Sequence, residues 1–234
     1  MTMRSIRRLA CSWGGVGAVV GLLGGVVAGC VDIPLPKNDE VPRLYVLTPK
    51  STYPDDLKKV NWQLLVDAPV SPAGLNTARI ALQDSPIELR YFNLANWTDF
   101  APRMVHALIV ESFENSNRIV SVGREQIGLR ADFLLKTELR EFQAEYEERI
   151  PENTTELGPT AEPPFARVRI NAKLVKMPQR EIIAHQTFER RIRAKANKMS
   201  DIIDAFDEAL GKTLKAVVIW TLETGEKSKK AQRR

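Results

Sequence analysis

Few residues of this sequence are of types that carry out chemistry: two cysteines and two histidines among 234 residues. His106 falls on a predicted helix and His185 on a predicted strand. Neither has a cysteine or a second histidine at the spacing of metal ligands. The sequence also lacks the GxSxG, HExxH and phosphate-binding glycine-loop patterns. We therefore expect no enzymatic activity, no cofactor and no metal.

Cys30 is the residue with a chemical role, because it ends a segment typical of an export signal. The first ten residues hold three arginines and no acid, and a glycine-rich apolar segment follows from about residue 14 to residue 29. Val27-Ala28-Gly29-Cys30 resembles the bacterial lipobox, in which the cysteine thiolate takes a diacylglyceryl group as a thioether. The pattern predicts a signal peptide over residues 1–29 and lipidation of Cys30.

An uncleaved transmembrane helix is the alternative interpretation of the same segment. Apolar character holds from about Ala10 to Val31, which is long enough to span a bilayer. However, each of its glycines weakens a helix by roughly 1 kcal/mol, and Pro34 and Pro36 follow at once. Cys11 has no apolar segment before it and would leave with the signal. These features favour cleavage.

Cleavage changes what the composition implies. The signal carries three of the 34 basic residues, so the mature chain has 31 basic and 29 acidic residues, and nucleic acid is not an expected partner. The mature chain has about 205 residues, enough for one domain, and its only cysteine is acylated. Residue 31 is valine rather than aspartate, which by analogy with lipoprotein sorting predicts the periplasmic face of the outer membrane.

Composition divides the mature chain into three parts. Residues 30–42 are predicted to be a lipidated tether, residues 43–223 a folded domain, and residues 224–234 a basic disordered tail. Inside the domain, residues 150–164 are rich in proline and polar residues and are expected to form an unstructured loop.

The domain shows strand patterns first and helical patterns at two places. Short strands are predicted over 43–49, 61–70, 77–83, 87–93 and 118–122. Apolar residues recur at helical spacing after a cap at Thr98 or Asp99, and again over residues 200–223 after a cap at Ser200. Longer alternating strands cover 131–139 and 165–174, and residues 176–180 turn into a hairpin partner, 181–194.

These elements predict an α+β fold: a mainly antiparallel sheet with two long helices packed on one face and the other face open. The strand order does not follow from the sequence.

The polar face of the long strands admits two interpretations. Acids precede the 150–164 loop and bases follow it: Glu138, Glu141, Glu145, Glu147 and Glu148, then Arg167, Arg169, Lys173, Lys176, Arg190, Arg191, Arg193, Lys195 and Lys198. They could be cross-strand pairs on a solvated sheet, or a docking surface for a protein or for anionic headgroups. The acids Asp201, Asp204, Asp207 and Glu208 are interpreted as favourable charge near a helix N-terminus plus a solvated face, rather than as a carboxylate site.

A family resemblance runs through residues 43–223. "RLYVLTP", "LLVDAPVSPAGLNTARIAL", "RYFNLANWTDFAPRMVHALIVESFENSNRIVSV", "ADFLLKTELREFQ" and "AFDEALGKTLKAVVIWTL" resemble, in order and spacing, the ABC-type transport auxiliary lipoproteins, the paraquat-inducible C-like group. Asn76 stands where aspartate is expected, a small departure.

The resemblance implies a function without catalysis. Such lipoproteins accompany ABC permeases paired with Mce-domain proteins, which move phospholipids or other hydrophobic molecules across the envelope, and some form homo-oligomeric rings. The expected function is therefore an accessory or docking component anchored to the membrane by lipid. A periplasmic lipid-binding carrier is the alternative, and a hydrolase using His185 is the least favoured.

Overall fold

The computed structural model describes residues 41–125, 130–147 and 162–232. They belong to one unit, Glu40–Arg234. The strands are β1 (Arg43–Tyr45), β2 (Gln63–Val66), β3 (Arg79–Ser85), β4 (Glu88–Trp97), β5 (Ser121–Arg124), β6 (Phe133–Glu145), β7 (Phe165–Lys176) and β8 (Glu181–Arg193), and the helices are α1 (Ala101–Ser116) and α2 (Met199–Gln232).

β6 organises a sheet of eight strands. Along one edge it pairs antiparallel with β7, which pairs antiparallel with β8. Its other edge is divided between two parallel partners, β2 near its start and β3 near its end. β5 extends the sheet beyond β2, while β4 and then β1 extend it beyond β3. The long ladders are antiparallel, so the predicted fold class is confirmed.

Both helices share one hydrophobic core with the sheet. Trp97, Phe142 and Phe206 form its aromatic centre, with ring centroids 5.3–5.4 Å apart, and they come from β4, β6 and α2. Val105 and Ile109 of α1 are fully buried in the same core. The core thus joins the sheet to both helices, as the helical spacing of apolar residues predicts.

A β-bulge in β6 explains why the alternation of buried and exposed residues does not continue along the whole strand. Phe133, Leu135 and Leu139 keep a period of two, but the next core residue is Phe142. The register with β7 shifts between Leu139 and Glu141, which inserts one residue and restores the inward face. Leu134 lies on the opposite face, yet it is buried in a second small cluster with Leu65 and Val175.

Several predicted boundaries differ from the structure. The strands predicted over 43–49 and 61–70 are shorter, and the strand predicted over 118–122 begins at Ser121. α1 has Phe100 as its N-cap without a side-chain hydrogen bond, so neither Thr98 nor Asp99 caps it. Ser200 lies inside α2, which begins at Met199. Backbone pairing with neighbouring strands sets the limits of the strands, and local sequence does not encode that pairing.

The prediction of a disordered tail over 224–234 is wrong for residues 224–232, because α2 continues to Gln232. The basic composition predicts a solvated tail, but tertiary contacts stabilise the helical conformation of this segment. Gly225 packs against the Trp62 ring, and Lys229 makes an ion pair with Asp132 at the start of β6. No helix within the described residues has the length and apolar character needed to cross a membrane.

Candidate functional site

Cys30, the predicted lipidation site, lies outside the described residues, as do the signal peptide over 1–29, the tether up to residue 40 and most of the predicted loop over 150–164. The structure does show where the chain enters the domain. Val41 is exposed and leads into β1, an edge strand whose one partner among the described strands is β4. The segment after β1 is then fixed to α2, because Thr48 donates its backbone N–H and its hydroxyl to Asp207 at 2.6 and 2.9 Å.

The two histidines lie in different environments, one buried and one exposed. His106 is buried on α1, and its Nε2 lies 3.0 Å from the Val66 carbonyl oxygen, which ties α1 to β2. His185 is exposed on β8 opposite Lys173. Within residues 41–125, 130–147 and 162–232, no group of three or more histidine, cysteine, aspartate or glutamate side chains could hold a metal ion.

The acids at the start of α2 have structural partners. Asp207 accepts the Thr48 hydrogen bonds, and Glu208 accepts from Lys212 one turn later at 2.6 Å. Asp201 lies in the first turn, where the partial positive charge of the helix N-terminus favours it. These contacts agree with the structural interpretation of the cluster.

The open face of β6, β7 and β8 carries a ladder of ion pairs, which we call the charged face. Arg167 donates to Glu189 at 2.8 Å, and Arg191 donates to Glu145 at 2.9 Å. Arg193 continues the ladder with an ion pair to Glu147 at 3.0 Å. The structure therefore brings together acids from before the 150–164 loop and bases from after it.

The electrostatics of the charged face are set by these pairs. Burial lowers the pKa of Arg167, but the hydrogen bond to Glu189 and the surrounding glutamates outweigh it and raise the pKa. The ring of Phe165 also supports two guanidinium groups, those of Arg191 at 3.8 Å and Arg193 at 4.7 Å. Charge pairing across strands is thus present, while docking of a partner on this face stays a prediction. Glu148 lies outside the described residues.

Two contacts between charged residues cannot be predicted from local sequence patterns, because each joins residues distant in sequence. Lys229, near the end of α2, makes an ion pair with Asp132, just before β6. Burial raises the pKa of Asp132, but hydrogen bonds from Lys229 and from the Gln63 backbone N–H outweigh it, so the pKa is lowered. No local pattern signals a pair 97 positions apart.

The second contact joins two carboxyl groups at the ends of β2 and β5. Burial and a hydrogen bond with Asp67 raise the pKa of Glu125. Burial also opposes ionisation of Asp67, but the hydrogen bond from Lys136, at 2.6 Å, outweighs it and lowers the pKa. Arg180 of the β7–β8 turn lies 3.6 Å from Glu125. Asp67, Glu125 and Arg180 thus connect the ends of β2 and β5 with the β7–β8 turn.

The space in which a carrier would hold an acyl chain, between α2 and the sheet, is filled by the aromatic centre of the core. An open groove of about 550 Å³ lies instead between the 54–60 segment and the second half of α2. Its floor is apolar, with Leu57, Val60 and Leu222, but its lining also includes six charged residues: Asp56, Lys58, Glu223, Glu226, Lys227 and Lys230. Sites for apolar ligands are mostly enclosed and apolar, so this groove does not favour the carrier.

Comparison with known protein families decides what this domain is. The model of the ABC-type transport auxiliary lipoprotein component matches residues 45–218. This chain belongs to that family. The expectation drawn from the sequence motifs is therefore confirmed, and with it the general assignment to a lipoprotein of an ABC transport system.

Solved structures agree with this assignment. The auxiliary lipoprotein is similar to a Xanthomonas campestris protein of the DUF330 family, with 27% identity, a TM-score of 0.71 and coverage of 80% of this chain and 99% of that one. An uncharacterized protein shares the fold at 12% identity, with a TM-score of 0.57 and coverage of 76% and 97%. A PelC dodecamer from Paraburkholderia phytofirmans, at 11% identity, coverage of 75% and 90% and a TM-score of 0.36, is too distant to inform the assembly of this chain. The search of curated proteins finds no match.

Proposed function

We propose that this auxiliary lipoprotein is a docking component for an Mce-type ABC transporter of phospholipids or other hydrophobic molecules. The acylated Cys30 holds it on the periplasmic face of the outer membrane, and its domain receives the Mce-domain protein. The observation that carries the proposal is the family match over residues 45–218 directly downstream of the Val27–Cys30 lipobox.

The structure supports a role in binding rather than in catalysis. The described residues include no cluster that could hold a metal, His106 is buried with its Nε2 on the Val66 carbonyl oxygen, and His185 is exposed on β8 opposite Lys173. The core between the helices and the sheet is filled, which supports docking over carriage of a lipid inside the domain. We propose that the protein is not an enzyme and needs no cofactor.

Capture of the partner tests this function. The lipidated protein is purified from membranes, immobilised, and exposed to the purified Mce-domain protein encoded with the same transport system. We expect specific capture that survives in detergent, together with increased envelope permeability in a deletion strain. Absence of capture combined with unchanged permeability would contradict the proposal.

Native mass spectrometry of the delipidated domain separates docking from carriage. The docking proposal predicts a domain free of bound phospholipid, and the same spectrum reports whether several copies assemble into a ring. Stoichiometric phospholipid that co-purifies with the domain would favour the carrier instead.

A further inference from the structure

The exposed apolar side chains of this domain are concentrated on one edge of the sheet. Ten large apolar side chains of the described residues are exposed, and six of them belong to β1, β4 or the segments that adjoin them. They are Val41, Leu44, Val46, Ile87, Leu89 and Leu94. Single exposed apolar residues need no explanation, but a group of six along one edge does. We call this group the apolar edge.

The register shows how the apolar edge is laid out. Leu44 on β1 lies opposite Asn96 on β4, and Asn96 lies opposite Arg79 on β3, so the three form a row across the sheet. This row is on the face away from the helices, because the neighbouring Trp97 points into the core. Ile87, 96% exposed, is at the tip of the β3–β4 hairpin at the other end of β4.

The chain enters the domain within the apolar edge. β1 runs parallel to β4, with Arg43 opposite Ala95, so Val41 and Pro42 lead into β1 from the side of the β3–β4 hairpin. Cys30 precedes Val41 by eleven positions, a length that spans at most about 40 Å when fully extended. α2 alone is about 50 Å long, so the anchor cannot separate the domain from the membrane by as much as one domain length.

A cation beside the apolar edge is suited to a lipid headgroup. Arg79 lies in the same row as Leu44 and makes no ion pair with any residue that the structure describes, and its guanidinium stacks on the Tyr91 ring at 4.0 Å. Basic side chains beside apolar ones are typical of surfaces that enter a membrane interface, where the stem is buried and the charge meets a phosphate. The charged face differs, because its arginines are already paired with glutamates.

We propose that the apolar edge is the membrane-facing surface of the domain, with its apolar side chains in the interfacial region of a phospholipid bilayer and Arg79 on a lipid phosphate. This inference depends on the proposed anchor at Cys30. It adds that the domain has a fixed orientation on the membrane. The charged face lies on β6, β7 and β8, on the other side of β3 from the apolar edge, and is left to a protein partner.

Site-specific fluorescence tests the orientation with the full lipidated protein. Leu44→Cys and Ile87→Cys are labelled with an environment-sensitive fluorophore, and the proteins are reconstituted into phosphatidylethanolamine and phosphatidylglycerol vesicles that contain lipid spin-labelled near the headgroup. Ile182→Cys is the matched control, because Ile182 is also an apolar residue on an edge strand, 57% exposed, but on β8. All three sites are exposed, so the labels should not disturb folding.

The proposal predicts that the fluorescence of both edge labels falls to about half or less of its unquenched value, as expected for side chains about 5–10 Å into the headgroup boundary. The fluorescence of the control label should not fall. Equal quenching at all three sites, or none, would overturn it. The fluorescence of the edge labels could instead change with protein concentration in detergent and stay unchanged when vesicles are added. That result would assign the apolar edge to contact with a second copy of the protein and would also overturn the proposal.

The number of fluorophores bound per chain distinguishes failure of the proposed Cys30 anchor from failure of the proposed membrane orientation. With Cys11 removed and Cys30 acylated, each variant has one free thiol and takes one label. A second label on each chain would mean that Cys30 is unmodified, and the proposed anchor would fail rather than the orientation.

Discussion

Two glycines in α2 should respond differently to alanine. A Cβ at Gly211 would meet only the Lys50 side chain, at an ordinary 3.9 Å. A Cβ at Gly225 would lie 2.6, 3.0 and 3.1 Å from three atoms of the Trp62 ring. Trp62 is 2% exposed and packs edge-on against Phe133 at 5.0 Å, so the ring has little room to move away. The same substitution therefore relieves a helix weakness at one site and creates a clash at the other.

The magnitudes follow from helix propensity and overpacking. Gly211→Ala should raise the free energy of unfolding by up to about 1 kcal/mol, the usual gain of alanine over glycine inside a helix. Gly225→Ala has the same gain, but overpacking costs about 1–3 kcal/mol, so the net change should be neutral to destabilising by about 2 kcal/mol. In a domain of this size, 1 kcal/mol shifts Tm by about 2–4 °C.

Thermal and urea unfolding of the two variants beside the parent chain measure these differences. Trp62→Phe supplies the control, because it removes the ring atoms nearest to Gly225 and the Trp62 Nε1 has no hydrogen-bond partner in the described structure. In that background Gly225→Ala should become stabilising. Equal stabilisation by alanine at positions 211 and 225 in the parent chain would refute the packing of the last turns of α2.

Three further predictions concern charge and the core. The lowered pKa of Asp132 means that its pair with Lys229 stabilises the fold at neutral pH and is lost as pH falls below about 4. The amide protection factors of residues 224–232, which correct for the intrinsic exchange rate at each pH, should therefore fall there, and Asp132→Asn should show the lowered protection already at pH 7. Phe206→Ala should cost about 3–5 kcal/mol in urea unfolding, because it empties the aromatic centre; a loss below 1 kcal/mol would contradict that packing. Glu189→Gln should change the free energy of unfolding by less than about 1 kcal/mol, because its ion pairs are solvent-exposed; a larger loss would mean that the charged face stabilises the fold.

The sequence predicts those parts of the fold that depend on local periodicity. The alternation in 165–174 and the helical spacing in α2 identify β7 and the C-terminal helix, and the turn at 176–180 identifies the β7–β8 hairpin. The parallel pairing of β6 with β2 and β3 could not be predicted, because it joins segments about 60 or more positions apart. The helical tail is the clearest case, since its stability comes from Trp62 and Asp132 and not from its own composition.

The candidate site divides in the same way. The lipobox around Cys30 is a local motif, so sequence alone can indicate the anchor. The apolar edge is not local, because Leu44 lies on β1 and Leu89 on β4, two strands whose adjacency appears only in the folded sheet. Exposure, unlike apolar character, is a property of the assembled structure and has no sequence pattern of its own.

The covalent state of Cys30 tests the central claim most directly. Intact-mass analysis of protein extracted from outer membranes should show a chain that begins at Cys30 and carries the added mass of a diacylglyceryl group and an amide-linked acyl chain. A Cys30→Ala variant should lack this mass and leave the outer-membrane fraction. A wild-type chain that keeps residues 1–29 and a free thiol at Cys30 would contradict the account.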